Sequence, residues 1–393
     1  MNDTLTMTEL ASELRSKAFG EMPDDIDLIV SSESANKAYL SGYVSMAHDL
    51  APSYRSAVLA TRDCASLVVS AADAGPAFDL LRDPGLIYRY GEFYFETAGG
   101  GEPKGYNVKP KAAFEDAAAD ALRSVKPSSG RVGIDRADGD LLWNLGRDFL
   151  GEDKVVDVTS EMRASRATKT TAEVKRLRRA TVLVEEGFQK IIDAGHAGMT
   201  ELDLAAMVSE RMVAGGGVPR FVSVTSGPRS ALADAYATPR KIAEGELIRI
   251  DAGCTVDGYW SDLGRTFVFG EPDTRQSKTY QAILAGIEDE LAAVKAGVAA
   301  NKLFEIAVSS VKANGIPHYK RQHCGHGIGL RAYDSPVVNS TDRTTLLAGM
   351  CLCLETPYYE LNLDGMMVED TIQVTSDGYE PLTTISRELF VIP

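Results

Sequence analysis

One stretch limits what this chain can fold into more than any other: Glu246 to Thr266, ELIRIDAGCTVDGYWSDLGRT. It reads as two short strands joined at Asp257-Gly258, a strong two-residue hairpin signal. Side chains alternate along a strand, so Arg249 and Asp251 share one face while Ile248 and Ile250 take the other. With Asp257 and Gly258 as the loop, Asp251 pairs with Gly264. Asp262 then lies on the same face as a diagonal neighbour of Asp251, roughly 7–8 Å away at the backbone. Two buried carboxylates that converge from there repel each other and raise a pKa. A pair of divalent cations removes that conflict and takes oxygen ligands of this kind. The other reading of this stretch alone is a solvated hairpin with incidental acids.

The chain has 393 residues, a length that suits two domains. Its 44% hydrophobic and 25% charged residues are ordinary for a globular protein. No apolar run approaches the roughly 20 residues of a membrane helix, and the first residues lack the basic and apolar regions of a secretory signal. The five cysteines are odd in number and form no disulfide framework, which points to a reducing cytoplasm. A formal net charge of −15 argues against nucleic acid or an anionic membrane as partner.

Residues 1–160 read as an alternating α/β domain. A helical pattern covers Glu9 to Phe19. Strands are expected at Asp25–Val30, Ser56–Thr61, Ser66–Ser70, Arg131–Asp135 and Lys154–Val158. An Ala-rich helix covers Ala112 to Val125, and Gly99 to Pro103 marks an exposed loop. His48 stands alone and is expected at the surface or in a loop. Residues 161–393 form the second expected domain. Its first long helix opens at Thr170-Thr171 and runs to about Ala194, with Glu173, Lys175 and Arg176 facing solvent. Thr200 to Asp203 resembles a capping box. A helix pair followed by strands occurs twice after Thr170, which hints at an internal duplication.

Three later residues join the two aspartates. His326 lies in Gly325-His326-Gly327-Ile328-Gly329, either as a turn histidine or as a metal donor. Glu355 ends the apolar strand Met350–Leu354, and Glu369 begins a returning strand. The turn cluster at Asn362–Gly365 sets the two glutamates roughly opposite each other. A carboxylate in an apolar strand is costly without a salt bridge or a ligand.

Taken together, two aspartates eleven residues apart, Gly-His-Gly-Ile-Gly, a strand glutamate and Glu-Asp-Thr resemble the pita-bread metallohydrolases. That family includes methionine aminopeptidase, aminopeptidase P, prolidase and creatinase. The resemblance covers about Arg166 to the C-terminus and includes Arg265-Thr266. Asn36 to Gly42 is similar to part of the family's smaller companion domain. The fold so implied is an N-terminal creatinase/prolidase-like α/β domain followed by a C-terminal pita-bread (α+β) catalytic domain. By the same resemblance, Asp251, Asp262, His326, Glu355 and Glu369 bind two divalent ions (Mn, Co, Fe or Zn). Asp262 and Glu369 bridge the ions, Asp251 binds one, and His326 with Glu355 binds the other. Glu355 is also implied as the acid/base carboxylate, and a homodimer is implied as the assembly.

Two positions depart from the Xaa-Pro peptidase pattern. Asp234 and Tyr333 stand where those enzymes usually carry substrate-facing histidines. A tyrosine hydroxyl is able to donate to an oxyanion; an ionised Asp234 instead attracts a cationic group. Arg321 and Arg331 flank His326, as surface residues or as partners of a substrate carboxylate. The expected function is hydrolysis of a peptide or amide bond in a small substrate, in the manner of an aminopeptidase P or prolidase. The alternatives are creatinase-like or amidase-type hydrolysis of a non-peptide C–N bond in a small metabolite, and a non-catalytic binding module.

Overall fold

The computed structural model describes residues 5–51, 53–94, 109–125 and 130–393. The expected loop at Gly99–Pro103 lies outside them. The chain divides into two compact units, Met1–Arg166 and Ala167–Pro393.

The first unit is built on a six-stranded mixed sheet in the order β4-β3-β2-β1-β5-β6. The strands are β1 (Ile26–Ser31), β2 (Ala57–Ala60), β3 (Ala65–Ser70), β4 (Ile87–Tyr90), β5 (Arg131–Ile134) and β6 (Val155–Asp157). Strands β1, β2 and β3 are nearly continuous apolar runs and are buried almost throughout, as strands covered on both faces must be. The helix Phe114–Val125 buries Ala117, Ala118, Ala121 and Leu122 in the core with Leu28, Leu59 and Val68. Residues 34–41 form a helix closed by Gly42 at φ 78°. A Cβ there would fall 2.6 Å from the Met7 carbonyl oxygen, so the position requires glycine.

His48 does not stand alone. It lies in the short helix Ala47–Leu50, edge-on to Tyr54, with its Nε2 against Lys37 Nζ and 3.1 Å from Ser56 Oγ. Lys37 is buried and donates to Ser56 Oγ at 2.5 Å. Burial pushes its pKa down to about 8. Local spacing gives no sign of this cluster, because strand pairing is what brings Ser56 to the helix.

The second unit repeats one plan. The helix pair Thr171–Ala194 and Glu201–Ala214 packs on the sheet β18-β10-β8-β7. The strands are β7 (Val218–Ser226), β8 (Leu247–Val256), β9 (Tyr259–Trp260, paired to β8), β10 (Leu263–Phe269) and, from the chain end, β18 (Phe390–Ile392). The helix pair Thr274–Ala293 and Ala300–Ala313 accompanies the sheet β12-β11-β13-β16-β17. These strands are β11 (Gly325–Gly327), β12 (Asp334–Val337), β13 (Cys351–Glu355), β16 (Glu369–Val374) and β17 (Tyr379–Pro381). A small ribbon, β14 (Tyr358–Glu360) with β15 (Asp364–Met366), joins β13 to β16. Each half has its own apolar core. Among the described residues no helix is long and apolar enough to cross a membrane.

The first long helix opens on a capping box at Thr170, and the next one opens on another at Thr200. Two of its expected solvent-facing residues are buried instead. Glu173 accepts from the Tyr259 hydroxyl at 3.2 Å, and Arg176 pairs with Asp257 at 3.0 Å. Both partners belong to the hairpin, which therefore packs over this face of the helix.

Candidate metal centre

The hairpin turn takes positive φ at both loop residues, 52° at Asp257 and 82° at Gly258. That is the geometry of a type I′ turn. The register follows from it: Val256 pairs with Tyr259, and Asp251 pairs with Gly264. Pairing lapses at Ser261-Asp262, between β9 and β10. There the Ser261 hydroxyl accepts from Cys254 N at 3.0 Å, while the Asp262 carbonyl accepts from Thr371 Oγ1 at 3.0 Å. Asp262 is thus held between the two sheets. Gly264 has no side chain because the Met367 sulfur occupies the space, 2.4 Å from where a Cβ would lie.

In the second sheet Glu355 of β13 pairs with Glu369 of β16, and His326 of β11 pairs with Cys353 of β13. The start of β16 is anchored from β10. Arg265 is wholly buried, donates to the Glu369 carbonyl, and pairs with Asp370 at 2.6 Å. Thr266 Oγ1 both donates to Met367 O and accepts from Met367 N. These bonds fix where the Glu369 side chain leaves the strand.

The result is a buried cluster. Donor atoms of Asp262, His326, Cys353 and Glu369 lie within 4.8 Å of one another. His326 Nε2 is 3.5 Å from Asp262 Oδ2. Its Nδ1 lies 3.0 Å from the Gly327 carbonyl, which only accepts, so Nδ1 carries a proton and a neutral ring leaves the Nε2 lone pair for a ligand. His326 Nε2 and Glu369 Oε2 are buried without a hydrogen-bond partner. Asp251 and Glu355 flank the cluster, and both line a cleft of about 430 Å³ together with Asp262 and Glu369.

Electrostatics show what the cluster lacks. Burial and the neighbouring Asp262 charge push Asp251 up to about 8. Burial raises Asp262, and Glu369 is raised well above the carboxylate range by burial and the two aspartates. Glu355 differs. Burial works to raise it too, but His323, Arg321 and His326 outweigh that and hold it below its ordinary value. Cations are missing from this set, and oxygen donors with one imidazole and two orphaned atoms suit divalent metal ions.

Asp234 and Tyr333 both line the cleft. Tyr333 stacks on His326, with ring centroids 3.7 Å apart. Arg321 is neither a surface residue nor uncommitted. It is largely buried, 3.3 Å from Glu355, and its guanidinium lies over the Tyr359 ring. Arg331 is exposed and does not line the cleft. Three further residues belong to the site. His323 Nδ1 lies 3.0 Å from Glu355 Oε1. Arg249 is buried, contacts Asp251 at 3.4 Å and holds the Leu232 and Ala233 carbonyls. Cys353 is a member of the cluster itself. Strand alternation already sets Arg249 beside Asp251 and Cys353 beside Glu355, whereas nothing in the spacing points to His323.

A model of metallopeptidase family M24 matches residues 175–376, just over half of the chain. The Xaa-Pro dipeptidase of Pyrococcus horikoshii is 33% identical over 60% of this chain and 67% of its own length. That of Pyrococcus furiosus is 30% identical over 69% and 78%. The chain belongs to metallopeptidase family M24. Its fold matches the X-Pro aminopeptidase of Thermotoga maritima with a TM-score of 0.79 over 97% of this chain and 99% of the other, at 22% identity. The prolidase of Pyrococcus furiosus superposes with a TM-score of 0.71 over 94% and 99%, at 25% identity. This M24 member therefore has an N-terminal α/β domain and a C-terminal pita-bread domain, and it is a metal-dependent hydrolase of the peptidase type.

Proposed function

We propose that this M24 hydrolase cleaves short Xaa-Pro peptides, as the dipeptidases it resembles are named for doing. Two divalent ions, from among Mn, Co, Fe and Zn, are held by Asp251, Asp262, His326, Glu355 and Glu369. Asp262 and Glu369 would contribute to holding both. The enzyme works in the cytoplasm as a homodimer. The observation that carries the metal assignment is the pair of orphaned buried atoms, His326 Nε2 and Glu369 Oε2, among converging carboxylates.

When bound, such ions polarise a scissile carbonyl and make water acidic enough to react near neutral pH. The chain's own groups do the rest. Glu355 is ionised at neutral pH, so it accepts a proton from the attacking water and passes it to the leaving nitrogen. Tyr333 keeps its proton, because burial and the nearby carboxylates raise its pKa, and its hydroxyl donates to the developing oxyanion. Asp234 in the cleft wall receives the substrate's ammonium group.

The test is elemental analysis of protein purified without chelator, followed by turnover on Xaa-Pro dipeptides, longer Xaa-Pro peptides and small amides. About two ions per chain and preferential cleavage of Xaa-Pro dipeptides are expected. Turnover of amides alone would replace the peptidase reading with an amidase, and a protein that takes up no metal would end both.

A further inference from the structure

One member of the cluster has no part in the five-residue ligand set. Cys353 lies on β13, directly opposite His326 on one side and Thr371 on the other. Glu355 is two residues further along the same strand and faces Glu369. Directly paired and alternate residues share a face. The sulfur therefore points to the same side of the sheet as His326, Glu355 and Glu369, and it is within 4.8 Å of the Asp262, His326 and Glu369 donor atoms. It is wholly buried. Its own partners are weak ones, the Asp262 carbonyl at 3.8 Å and Thr371 Oγ1 at 3.4 Å. The two orphaned atoms, His326 Nε2 and Glu369 Oε2, belong to the same group of four.

We propose that Cys353 is a sulfur donor of the metal centre, and that the position bounded by Asp262, His326, Cys353 and Glu369 selects a thiophilic ion, Zn²⁺ or Co²⁺, over Mn²⁺. This rests on the metal-centre reading above and sharpens it. Beside His326 and the carboxylates already assigned, a thiolate gives this position a mixed nitrogen, oxygen and sulfur donor set of the kind zinc accepts, whereas manganese favours oxygen donors. As the sulfur–metal bond forms, the thiol proton passes to solvent and no oxidation state changes.

The experiment uses the full chain loaded with Co²⁺. Wild type is expected to show a near-ultraviolet sulfur-to-cobalt charge-transfer band that is absent in Cys353→Ser and Cys353→Thr and present in Cys351→Ser. Zn²⁺/Mn²⁺ competition on the same proteins is expected to show the zinc preference falling about tenfold or more in Cys353→Ser. Cobalt bound at equal stoichiometry without the band in wild type, or with the band unchanged in Cys353→Ser, would leave the sulfur outside the coordination sphere and overturn the proposal alone. No cobalt bound by wild type would overturn the metal-centre reading along with it.

Discussion

Two of the buried polar clusters differ in how their groups are matched. In the first unit Lys37 meets His48 and Ser56, while Asp73 accepts from Ser45 at 2.7 Å and Tyr54 at 2.8 Å. Donors and acceptors are matched there. In the second unit Asp251, Asp262, Glu355 and Glu369 converge around one buried imidazole, and two atoms have no partner. Both regions cost desolvation. Only the second stays short of positive charge after every protein contact is counted. Of these two clusters, only the one whose unmatched atoms converge with further donors is a candidate ligand site.

Glu369→Ala should break that contrast most severely. It removes a carboxylate of the proposed ligand set, so metal content is expected to fall and turnover to drop on the order of 10²-fold or more. The folded state should be no less stable without metal, since a buried carboxyl with an unpartnered oxygen has gone. Retention of the full metal complement would contradict the ligand assignment. Next in size is Arg265→Ala. It strips a buried partner from Asp370 and frees the Glu369 carbonyl, at a cost of about 3–5 kcal/mol. Urea denaturation measures it. Ser56→Ala is the control from the matched region: about 1–3 kcal/mol is lost as Lys37 loses an acceptor, with metal content unchanged.

The same contrast has a sign in pH. Asp251 is raised from 3.8 to about 8, and Asp262 and Glu369 are raised too. Between the unfolded and folded values the native state holds more protons than the unfolded one, so stability falls as pH rises. Metal-stripped protein should therefore lose Tm from about pH 5 to about pH 8. Glu355 opposes this only at low pH, where its depressed pKa favours the native state until it is protonated. Bound metal displaces those protons, so the holoprotein should show the loss much reduced and metal affinity should rise with pH. Equal slopes with and without metal would mean that the carboxylates are not the ligands.

Much of the site was legible because two strand registers can be counted. Asp257-Gly258 sets Asp251 against Gly264, and the turn near Asn362 sets Glu355 against Glu369. Both counts need only local turn chemistry and alternation. What escaped depends on distant chain. Glu173 and Arg176 look like a solvated helix face until the hairpin supplies Tyr259 and Asp257. Lys37, His48 and Ser56 converge only once β2 lies beside β1. Cys353 alternates with Glu355 and was visible in principle, but an apolar strand of cysteine and leucine reads as core. His323 carries no periodic signal, because it reaches Glu355 from a segment outside the strands.

The smallest effect tests whether the helix carrying Glu173 only supports the hairpin. Thr170→Ala removes the hydroxyl that accepts from Glu173 N at 3.4 Å. Loss of an N-cap threonine costs about 1 kcal/mol. The cost stays small because Glu173 keeps its bond from Thr170 N at 2.8 Å, a backbone group that alanine retains. Tyr259 and Asp257 likewise keep their partners on the helix. The urea midpoint should shift slightly, with metal content and turnover as in wild type. A fall in metal content would show that the first helical turn is coupled to Asp251 and Asp262 through Arg176 and the hairpin loop. The pairing of Asp251 with Gly264 would then depend on helix packing as well as on the two residues of its own turn.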